Sequence, residues 1–186
     1  MTNSYFADQT FKNLKSIKTG DYENCRFINC ILPNSDLSGI SFIECEFQNC
    51  DFSSSKLYDA SFKTASFVGS KLVGLQFEDS TEFLFSIDFR ECNLHLSSFY
   101  QMNPKSISFR DCNLKEVDLT EANLAETLFE QCDLNLAIFK NTNLEKADLS
   151  SSYNYIIDPE INNIQKAKFS LQGLPGLLEK YNLEIN

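Results

Sequence analysis

The segment 109–149 reads FRDCNLKEVDLTEANLAETLFEQCDLNLAIFKNTNLEKADL and repeats with a period of five residues. Every fifth position is Leu or Phe, namely Phe109, Leu114, Leu119, Leu124, Phe129, Leu134, Phe139, Leu144 and Leu149. Two residues before each of them stands a small or medium-sized residue, such as Cys112 or Ala122. A helix repeats near 3.6 residues and a strand near 2, so this period fits neither. The segment therefore predicts a repeat architecture with one continuous core.

Individual pentapeptides resemble those of a known repeat family. Ala122-Asn123-Leu124-Ala125-Glu126 and Ala147-Asp148-Leu149-Ser150-Ser151 look like the A(D/N)LXX unit of the pentapeptide-repeat proteins, and the resemblance runs from about Asp21 to Phe169. It implies an all-β fold, a right-handed quadrilateral β-helix with about four pentapeptides in each coil. For this chain we expect about seven coils in two stacked runs.

The period divides the chain into segments of a single domain, 1–186. Residues 1–20 lie off the period and are expected to cap the N-terminal end, because a solenoid exposes unpaired backbone and core at each end. A first coil run, a junction, a second coil run and a C-terminal cap are predicted at 21–77, 78–88, 89–150 and 151–186. Residues twenty apart should stack, and the predicted core columns contain Phe27, Phe47, Phe67, Phe109, Leu114, Phe129 and Leu134.

The junction is predicted from a slip in the period. Seven residues rather than five separate Phe77 from Leu84, so two residues are inserted. The old period would place Glu82 in the core and bury its charge, whereas a new period runs through Leu84 and Phe89. We therefore expect a bulge here, with candidate loop residues Glu78, Asp79 and Glu82.

A second loop is predicted where Pro104 occupies a core position of the repeat. Residues 102–105 are expected to form a turn that leaves the wall, and 101–107 is the best candidate for an exposed loop. Its candidate residues are Asn103, Pro104 and Lys105.

The C-terminal cap begins where the period lapses after Leu149. Asp158-Pro159-Glu160 resembles a helix start, with Asp as N-cap and Pro at the first position. The segment 174–181 is typical of a short amphipathic helix that closes the end. In several members of the resembled family this end forms a homodimer, and the apolar tail makes the same arrangement a hypothesis here.

All seven cysteines occupy one position of the repeat, two residues before the large core residue. A shared position indicates a shared role as a small buried filler. Stacked cysteines would lie within disulfide range, but their side chains would run parallel into a packed interior. We therefore predict free buried thiols rather than a metal site or disulfides at Cys25, Cys30, Cys45, Cys50, Cys92, Cys112 and Cys132.

The sequence shows none of the residue patterns that are typical of a catalytic site. It has one histidine, His95, at an outward position, and no nucleophile elbow, phosphate loop or dinucleotide fingerprint. We predict no enzyme activity, no cofactor and no metal.

The composition of the chain argues against nucleic acid and membrane as binding partners. The net charge of −10 and the pI of about 4.6 argue against direct nucleic-acid binding. No apolar run approaches the roughly 20 residues of a membrane span, and the N-terminus lacks the pattern of a signal peptide. A cytoplasmic protein is expected.

Acidity is concentrated in 79–150, which contains thirteen acidic and six basic residues. Part of it forms a predicted girdle around the coils that only Lys115 offsets within the same stretch: Asp111, Glu116, Asp118, Glu121, Glu126, Glu130 and Asp133. Ordinary solubility charge, together with the preference of the repeat for Asp beside its core Leu, is the simpler interpretation. The functional alternative is mimicry of the charge and shape of DNA.

These features lead to two hypotheses about the function of the protein. The first is a non-enzymatic scaffold that binds a protein partner, which a patchy surface with exposed Tyr58, Tyr100 or Tyr153 would favour. The second rests on a resemblance in size, acidity and two-part repeat run to the Qnr and MfpA branch. That resemblance implies a DNA mimic that binds and protects DNA gyrase or topoisomerase IV, as in quinolone resistance, and a continuous negative surface would favour it. The chain lacks the long loops of the Qnr proteins.

Overall fold

The computed structural model describes residues 4–184 as a parallel β-solenoid of about six turns. The first three residues of the predicted N-terminal cap and the last two of the C-terminal cap lie outside the described residues. The strands are β1 (Ser4–Ala7), β2 (Thr10–Lys12), β3 (Gly20–Glu23), β4 (Arg26–Ile28), β5 (Ser41–Ile43), β6 (Glu46–Gln48), β7 (Ser61–Lys63), β8 (Ala65–Val68), β9 (Ser86–Arg90), β10 (Ser106–Arg110) and β11 (Leu128–Glu130). All pair in parallel, in the orders β1-β3-β5-β7 and β11-β10-β9-β8-β6-β4-β2.

Each coil has four sides, which we number by the column of large core residues beneath them. The columns under sides 1, 2, 3 and 4 start in the first run at Phe27, Leu32, Leu37 and Tyr22, and each continues at the same place in the coils above. Side 1 carries the seven-stranded sheet, and side 4 carries the four-stranded sheet of the first run. Sides 2 and 3 are built from isolated bridges and turns.

A residue in the left-handed backbone conformation stands at most corners between sides. It follows the large core residue by two positions, as Asn34 at φ 55° and Gly39 at φ 68° do. The turn closes when the next N–H donates back to the core residue, as Ile40 does to the Leu37 carbonyl at 3.1 Å. Glycine and asparagine accept this conformation readily, whereas it costs a bulky residue roughly 1–2 kcal/mol.

The core follows the predicted columns. All seven predicted core residues are buried. The rings of Phe27, Phe47 and Phe67 stack with centroids 4.9 and 4.4 Å apart. A gap among the core rings of the first run has a volume of only about 10 Å³, so the interior is filled. The predicted all-β solenoid is confirmed, while its right-handed sense and the count of seven coils stay predictions.

The junction is an insertion of two residues in the wall. Strand partners are twenty residues apart between β6 and β8 but twenty-two apart between β8 and β9, which confirms the predicted slip. The expectation that Leu84 joins the core is wrong, because Leu84 is 42% exposed and Phe85 is buried instead. A turn in which the Phe85 N–H donates to the Glu82 carbonyl at 2.9 Å sets this arrangement and leaves Glu82 in solvent.

The second predicted loop stays in the wall. The carbonyl of buried Met102 accepts the Asn123 N–H at 2.8 Å, and the Lys105 N–H donates to the coil below at 2.9 Å. The expectation of a projecting turn is therefore wrong, because Pro104 lacks only its own N–H and its neighbours keep the bonds that hold the coil. Asn103 and Lys105 are exposed, and Pro104 is half-buried.

The predicted helix start in the C-terminal cap is also wrong. The Asp158 carboxylate accepts the Glu160 N–H at 2.9 Å, but only a single turn follows. The Asn162 side chain donates to the Asp158 carbonyl at 2.9 Å, and the Asn163 N–H donates to the Thr142 carbonyl at 3.1 Å. These bonds return the chain to the solenoid wall before a second turn can form.

The predicted short C-terminal helix is confirmed. It consists of a 3-10 turn (Leu171–Gly173), helix α1 (Pro175–Leu178) and a second 3-10 turn (Glu179–Tyr181). A carbonyl group ties it to the last coil, since the Ile157 N–H donates to the Gly176 carbonyl at 3.0 Å. Nowhere in residues 4–184 does a helix have the length and hydropathy needed to cross a membrane.

Candidate functional site

The described chain offers little that could perform catalysis. Among residues 4–184, no group of three or more His, Cys, Asp or Glu side chains is arranged to hold a metal ion. His95 is at the surface, with Nδ1 3.0 Å from the Lys115 carbonyl oxygen. The outer surface of the solenoid carries the charged and polar side chains that a partner would contact.

The cysteines are structural, because all seven are buried and free, as predicted. Six of the seven thiols point at backbone carbonyls of the coil below, as Cys45 Sγ does to Tyr22 at 3.4 Å and Cys50 Sγ to Phe27 at 3.4 Å. Burial raises the pKa of Cys45 and of Cys50 to about 12. Both therefore remain neutral thiols at physiological pH and are poor nucleophiles.

The predicted acidic girdle encircles the solenoid rather than forming one surface. Asp111 and Glu126 stand at the two corners that flank side 1, and Glu130 lies on side 1 itself. Asp133 lies on side 2, where it bridges Asn113 of the coil below. The remaining three members lie on side 3 and its corners: Glu116, Asp118 and Glu121.

Three girdle members have cations from neighbouring coils as partners. Lys146 Nζ lies 2.8 Å from Glu126, Arg110 Nε lies 3.4 Å from Glu130, and Lys115 Nζ lies 3.1 Å from Asp133. The hydrogen bond from Lys146 lowers the pKa of Glu126. At Asp133 partial burial acts to raise the pKa, but hydrogen bonds from Asn154 and Lys115 outweigh it and lower the pKa. Three of the four girdle acids outside side 3 are thus locally offset.

The girdle members on side 3 join acids from the first coil run. Asp59 and Asp79 stack, with the Asp59 N–H donating to the Asp79 carbonyl at 3.0 Å. Ser98, which donates to Glu78 at 2.7 Å, bridges Asp118 of the next coil. We call the resulting set the acidic side; it consists of Asp59, Glu78, Asp79, Glu116, Asp118 and Glu121.

The acidic side is not neutralised. None of the ion pairs within residues 4–184 includes any of its six carboxylates. Lys56 and Lys140 lie on the same side, toward its two ends. Exposed Tyr58 and Tyr100 stand among these groups, and Tyr153 is exposed on side 2. Side 3 is therefore negative and partly aromatic along much of its length.

Glu78 is one of two partly buried carboxylates of the acidic side, together with Asp118. Its Oε1 accepts the Ser98 hydroxyl, and its Oε2 is buried with no hydrogen-bond partner. Partial burial, aided by the nearby charges of Asp79 and Asp118, raises the pKa of Glu78 despite the Ser98 hydrogen bond. A basic group from a partner could satisfy this oxygen.

The predicted loop residues sit at different places on the wall. Glu78 and Asp79 belong to a 3-10 turn, Phe77–Asp79, on side 3. Glu82 Oε1 accepts the Asn103 N–H at 2.7 Å, which links the two predicted loops. Lys105 lies at the surface of side 4. No long projection exists at either place within the described residues.

Side 4 of the second run is neutral and interlocked. Each asparagine amide donates to the carbonyl oxygen of the asparagine in the coil below, at 2.7, 2.8 and 2.9 Å, through the ladder Asn103, Asn123, Asn143 and Asn163. These amides satisfy one another and leave little for a partner to bind. Sequence reasoning missed this ladder, although asparagines at steps of twenty were its visible signal.

A shallow polar groove of about 750 Å³ lies at the corner between sides 1 and 2. Asp111, Lys115, Asp133 and Tyr153 line it. Because Lys115 and Asp133 already pair across its floor, it has little net charge and no feature that selects a ligand.

Comparisons with known proteins agree with this geometry. A family model described as a pentapeptide repeat region matches residues 20–81, 40–119 and 83–153. No curated protein matches the sequence. The structure is similar to HetL, a pentapeptide repeat protein involved in heterocyst differentiation regulation from the cyanobacterium Nostoc sp. strain PCC 7120. The TM-score is 0.69 at 17% identity, over 89% of this chain and 85% of HetL.

A second similar structure is trypsin-treated QnrB1, a plasmid-mediated fluoroquinolone resistance protein. The TM-score is 0.55 at 22% identity, over 98% of this chain and 100% of that chain. At these identities the two structures support the fold.

Proposed function

This chain belongs to the pentapeptide-repeat family, and from that premise we propose that it is a non-enzymatic scaffold whose acidic side binds a protein partner. The observation that carries the proposal is the row of six carboxylates on side 3 that no Lys or Arg of the described chain neutralises. Such charges repel one another in the free protein, and a basic partner surface would relieve that repulsion. Exposed Tyr58 and Tyr100 add the aromatic contacts that interfaces favour.

The rigid wall suits this role. Asp118 and Glu121 are held by short contacts, since Asp118 accepts the Thr120 N–H at 2.9 Å and Glu121 accepts the Gln101 amide at 2.6 Å. Their backbones are bonded to the coils above and below. A partner therefore meets charges that are already positioned, which lowers the entropic cost of binding. We propose that the protein acts in the cytoplasm.

The test is affinity capture with matched variants. D79N/D118N/E121Q removes three charges from the acidic side, and E46Q/E130Q/D148N removes three from side 1. We expect a protein partner that the unmodified chain and the side 1 variant retain and that the acidic-side variant loses. Equal retention by all three proteins, or no specific partner at all, would refute the proposal.

The second candidate is a DNA mimic that protects DNA gyrase or topoisomerase IV. The net charge of −10 and the likeness over nearly the full length to QnrB1, a fluoroquinolone resistance protein, support it. Duplex DNA carries a charge every 1.7 Å or so on all sides, whereas here one side of the rod is strongly negative. Mimicry would therefore act through side 3 facing the enzyme.

A supercoiling assay tests the second candidate. Purified chain would be added to DNA gyrase with and without ciprofloxacin. Rescue of supercoiling, or inhibition at higher concentration, that D79N/D118N/E121Q abolishes is the expected result for a mimic. No effect at large excess would leave the general scaffold as the proposal.

The C-terminal cap is the proposed site of self-association. Leu171, Leu174, Leu178 and Tyr181 are exposed on one small element. Burying them against a second copy would remove apolar surface from water. Sedimentation of the chain and of L171E/L178E tests this: a dimer that the substitutions dissociate supports the proposal, and a monomer at high concentration contradicts it.

A further inference from the structure

Three leucines occupy corners where leucine is out of place. Leu84, Leu96 and Leu136 have φ of 61°, 59° and 59°, in the left-handed region. They are the aliphatic residues among the non-glycine positive-φ positions of residues 4–184, where Asn, Asp, Glu and other polar residues prevail. The side chains are 42%, 49% and 63% exposed. Neither backbone preference nor burial accounts for leucine at these corners.

Two of these leucines share one corner. Leu96 and Leu136 lie between sides 2 and 3, with Glu116 in the coil between them. The stacking is shown by the Leu96 N–H, which donates to the Lys115 carbonyl at 3.1 Å, and the Glu116 N–H, which donates to the Asn135 carbonyl at 3.0 Å. Two coils of about 4.8 Å separate the leucines by about 10 Å.

A third apolar side chain extends this corner onto side 3. Ile138 is 49% exposed and bridges Asp118 of the coil below. The corner thus presents three exposed aliphatic side chains around two unpaired carboxylates, Glu116 and Asp118. Leu84 stands alone at the corner between sides 4 and 1, away from this surface.

We propose that Leu96, Leu136 and Ile138 form a docking surface for a basic amphipathic helix of a partner protein. Two apolar side chains of that helix would contact the leucines, and Lys or Arg side chains between them would face Glu116 and Asp118. The inference deepens the proposed scaffold function and rests on it.

The spacing selects a helix over an extended segment. Residues seven apart on a helix lie on nearly the same face and rise about 10.5 Å, close to the separation of the leucines. In a strand, residues three apart span a similar length but point to opposite faces. The charge between the leucines selects a basic helix, because a neutral or acidic helix would leave Glu116 and Asp118 without partners.

The test uses a synthetic helical peptide and three asparagine variants. The fluorescein-labelled probe has two leucines about seven positions apart, with two lysines between them on the same face. A control peptide has the same composition with its leucines on opposite faces. The proteins are the unmodified chain, L96N/L136N and L84N, a matched control that makes the same change at a distant corner. Fluorescence anisotropy at low and high salt measures binding.

We expect L96N/L136N to weaken binding of the probe at least about tenfold. L84N should bind like the unmodified chain, the control peptide should bind weakly, and E116Q/D118N should lower both affinity and salt dependence. Asparagine suits the left-handed corner, so melting of L96N/L136N should be unchanged or higher. That result separates lost docking from lost folding.

Equal weakening by L84N, equal binding of both peptides, or no binding of the probe to the unmodified chain would overturn the docking surface. The scaffold function is tested separately by affinity capture. If a partner is retained by the unmodified chain and by L96N/L136N but lost by D79N/D118N/E121Q, the docking inference fails and the scaffold function stands.

Discussion

Sides 1 and 3 face opposite directions on one solenoid and use their charges in opposite ways. On side 1 the acids lie within reach of cations along the axis: Arg26 Nε is 2.9 Å from Glu46, Arg110 pairs with Asp88, and Lys168 Nζ is 2.9 Å from Asp148. On side 3 six carboxylates have no such partner. Both sides consist of the same repeat, so the difference lies in what stands twenty or twenty-two residues away.

This difference shows that the charges of a solenoid must be compared between residues that stack in successive coils, not between neighbours in the sequence. Arg110 holds two acids, Asp88 and Glu130, that are twenty-two residues before it and twenty after it. A count along the sequence assigns all the girdle acids to one feature, whereas the columns divide them between a paired wall and an unpaired one. Four experiments test whether the two sides differ in this way.

The largest expected effect is loss of the wall itself. Phe129 lies in the core under side 1, with its ring 5.2 Å from that of Phe109. Phe129→Asp would bury an uncompensated charge and should destabilise the chain by more than about 4 kcal/mol, enough to unfold the upper coils. Q131D, at an exposed left-handed corner, is the control. Unchanged melting of F129D by circular dichroism would contradict the assigned core.

The second experiment tests whether a reagent in solution can reach the interior that the sides of the solenoid enclose. The seven thiols are buried, and burial raises the pKa of Cys45 and Cys50, so few thiols should react with a thiol reagent in the native protein. All seven should react after denaturation. Rapid reaction of all seven without denaturant would show that the interior is open.

The third experiment makes side 1 resemble side 3. Arg110→Gln removes the shared cation, which leaves Glu130 unpaired and Asp88 with only its longer contact to Arg90 at 3.9 Å. Because these ion pairs are partly exposed, we expect a loss of about 1 kcal/mol, smaller at high salt. Lys140→Gln on side 3 removes a cation that has no ion pair in the described chain, and it should change stability little. Equal effects of the two substitutions would remove the contrast between the sides.

The smallest expected effect concerns Glu78 and has a defined sign. The folded protein raises the pKa of this carboxyl, so the folded state binds its proton more tightly than the unfolded state does. Stability from this group is greatest below the unfolded pKa and falls as pH rises through the folded pKa. Glu78→Gln should therefore raise stability at neutral pH by less than about 1 kcal/mol after allowance for its exposed half, and the gain should vanish in acid. E121Q, a fully exposed acid nearby, is the control.

The sequence was sufficient for the solenoid because its period states which residues face inward. The core residues from Phe27 to Phe129 could be placed from spacing alone. Where the chain leaves the solenoid wall, a charged or small residue replaces the expected Leu or Phe and interrupts the period. Leu84 could not be distinguished from Phe85 in this way. Both are apolar, and the choice depends on the turn bond from Phe85 to Glu82, which spacing does not encode.

Pro104 and Asp158 show the same limit of sequence-based prediction, because at both places the sequence predicts a structure that the fold does not form. Each carries a local signal for a turn or a helix, and each is overruled by bonds to a neighbouring coil. The acidic side could not be predicted from the sequence for a related reason. Glu78 and Asp118 are forty residues apart in sequence, and Ser98 links them only because the two inserted residues shift the upper run relative to the lower one.

The asparagine ladder on side 4 makes the solenoid resist bending. Its amide bonds tie four successive coils together, and side 2 has similar links, such as the one between Asn93 and Asn113. Sides 1 and 3 are also linked from coil to coil, by Arg110 with Glu130 on side 1 and by Gln101 with Glu121 at the edge of side 3. Curvature in any plane must therefore stretch side-chain bonds as well as the backbone bonds between coils. The acidic side then presents its carboxylates at fixed separations, and a partner must match that spacing rather than impose its own.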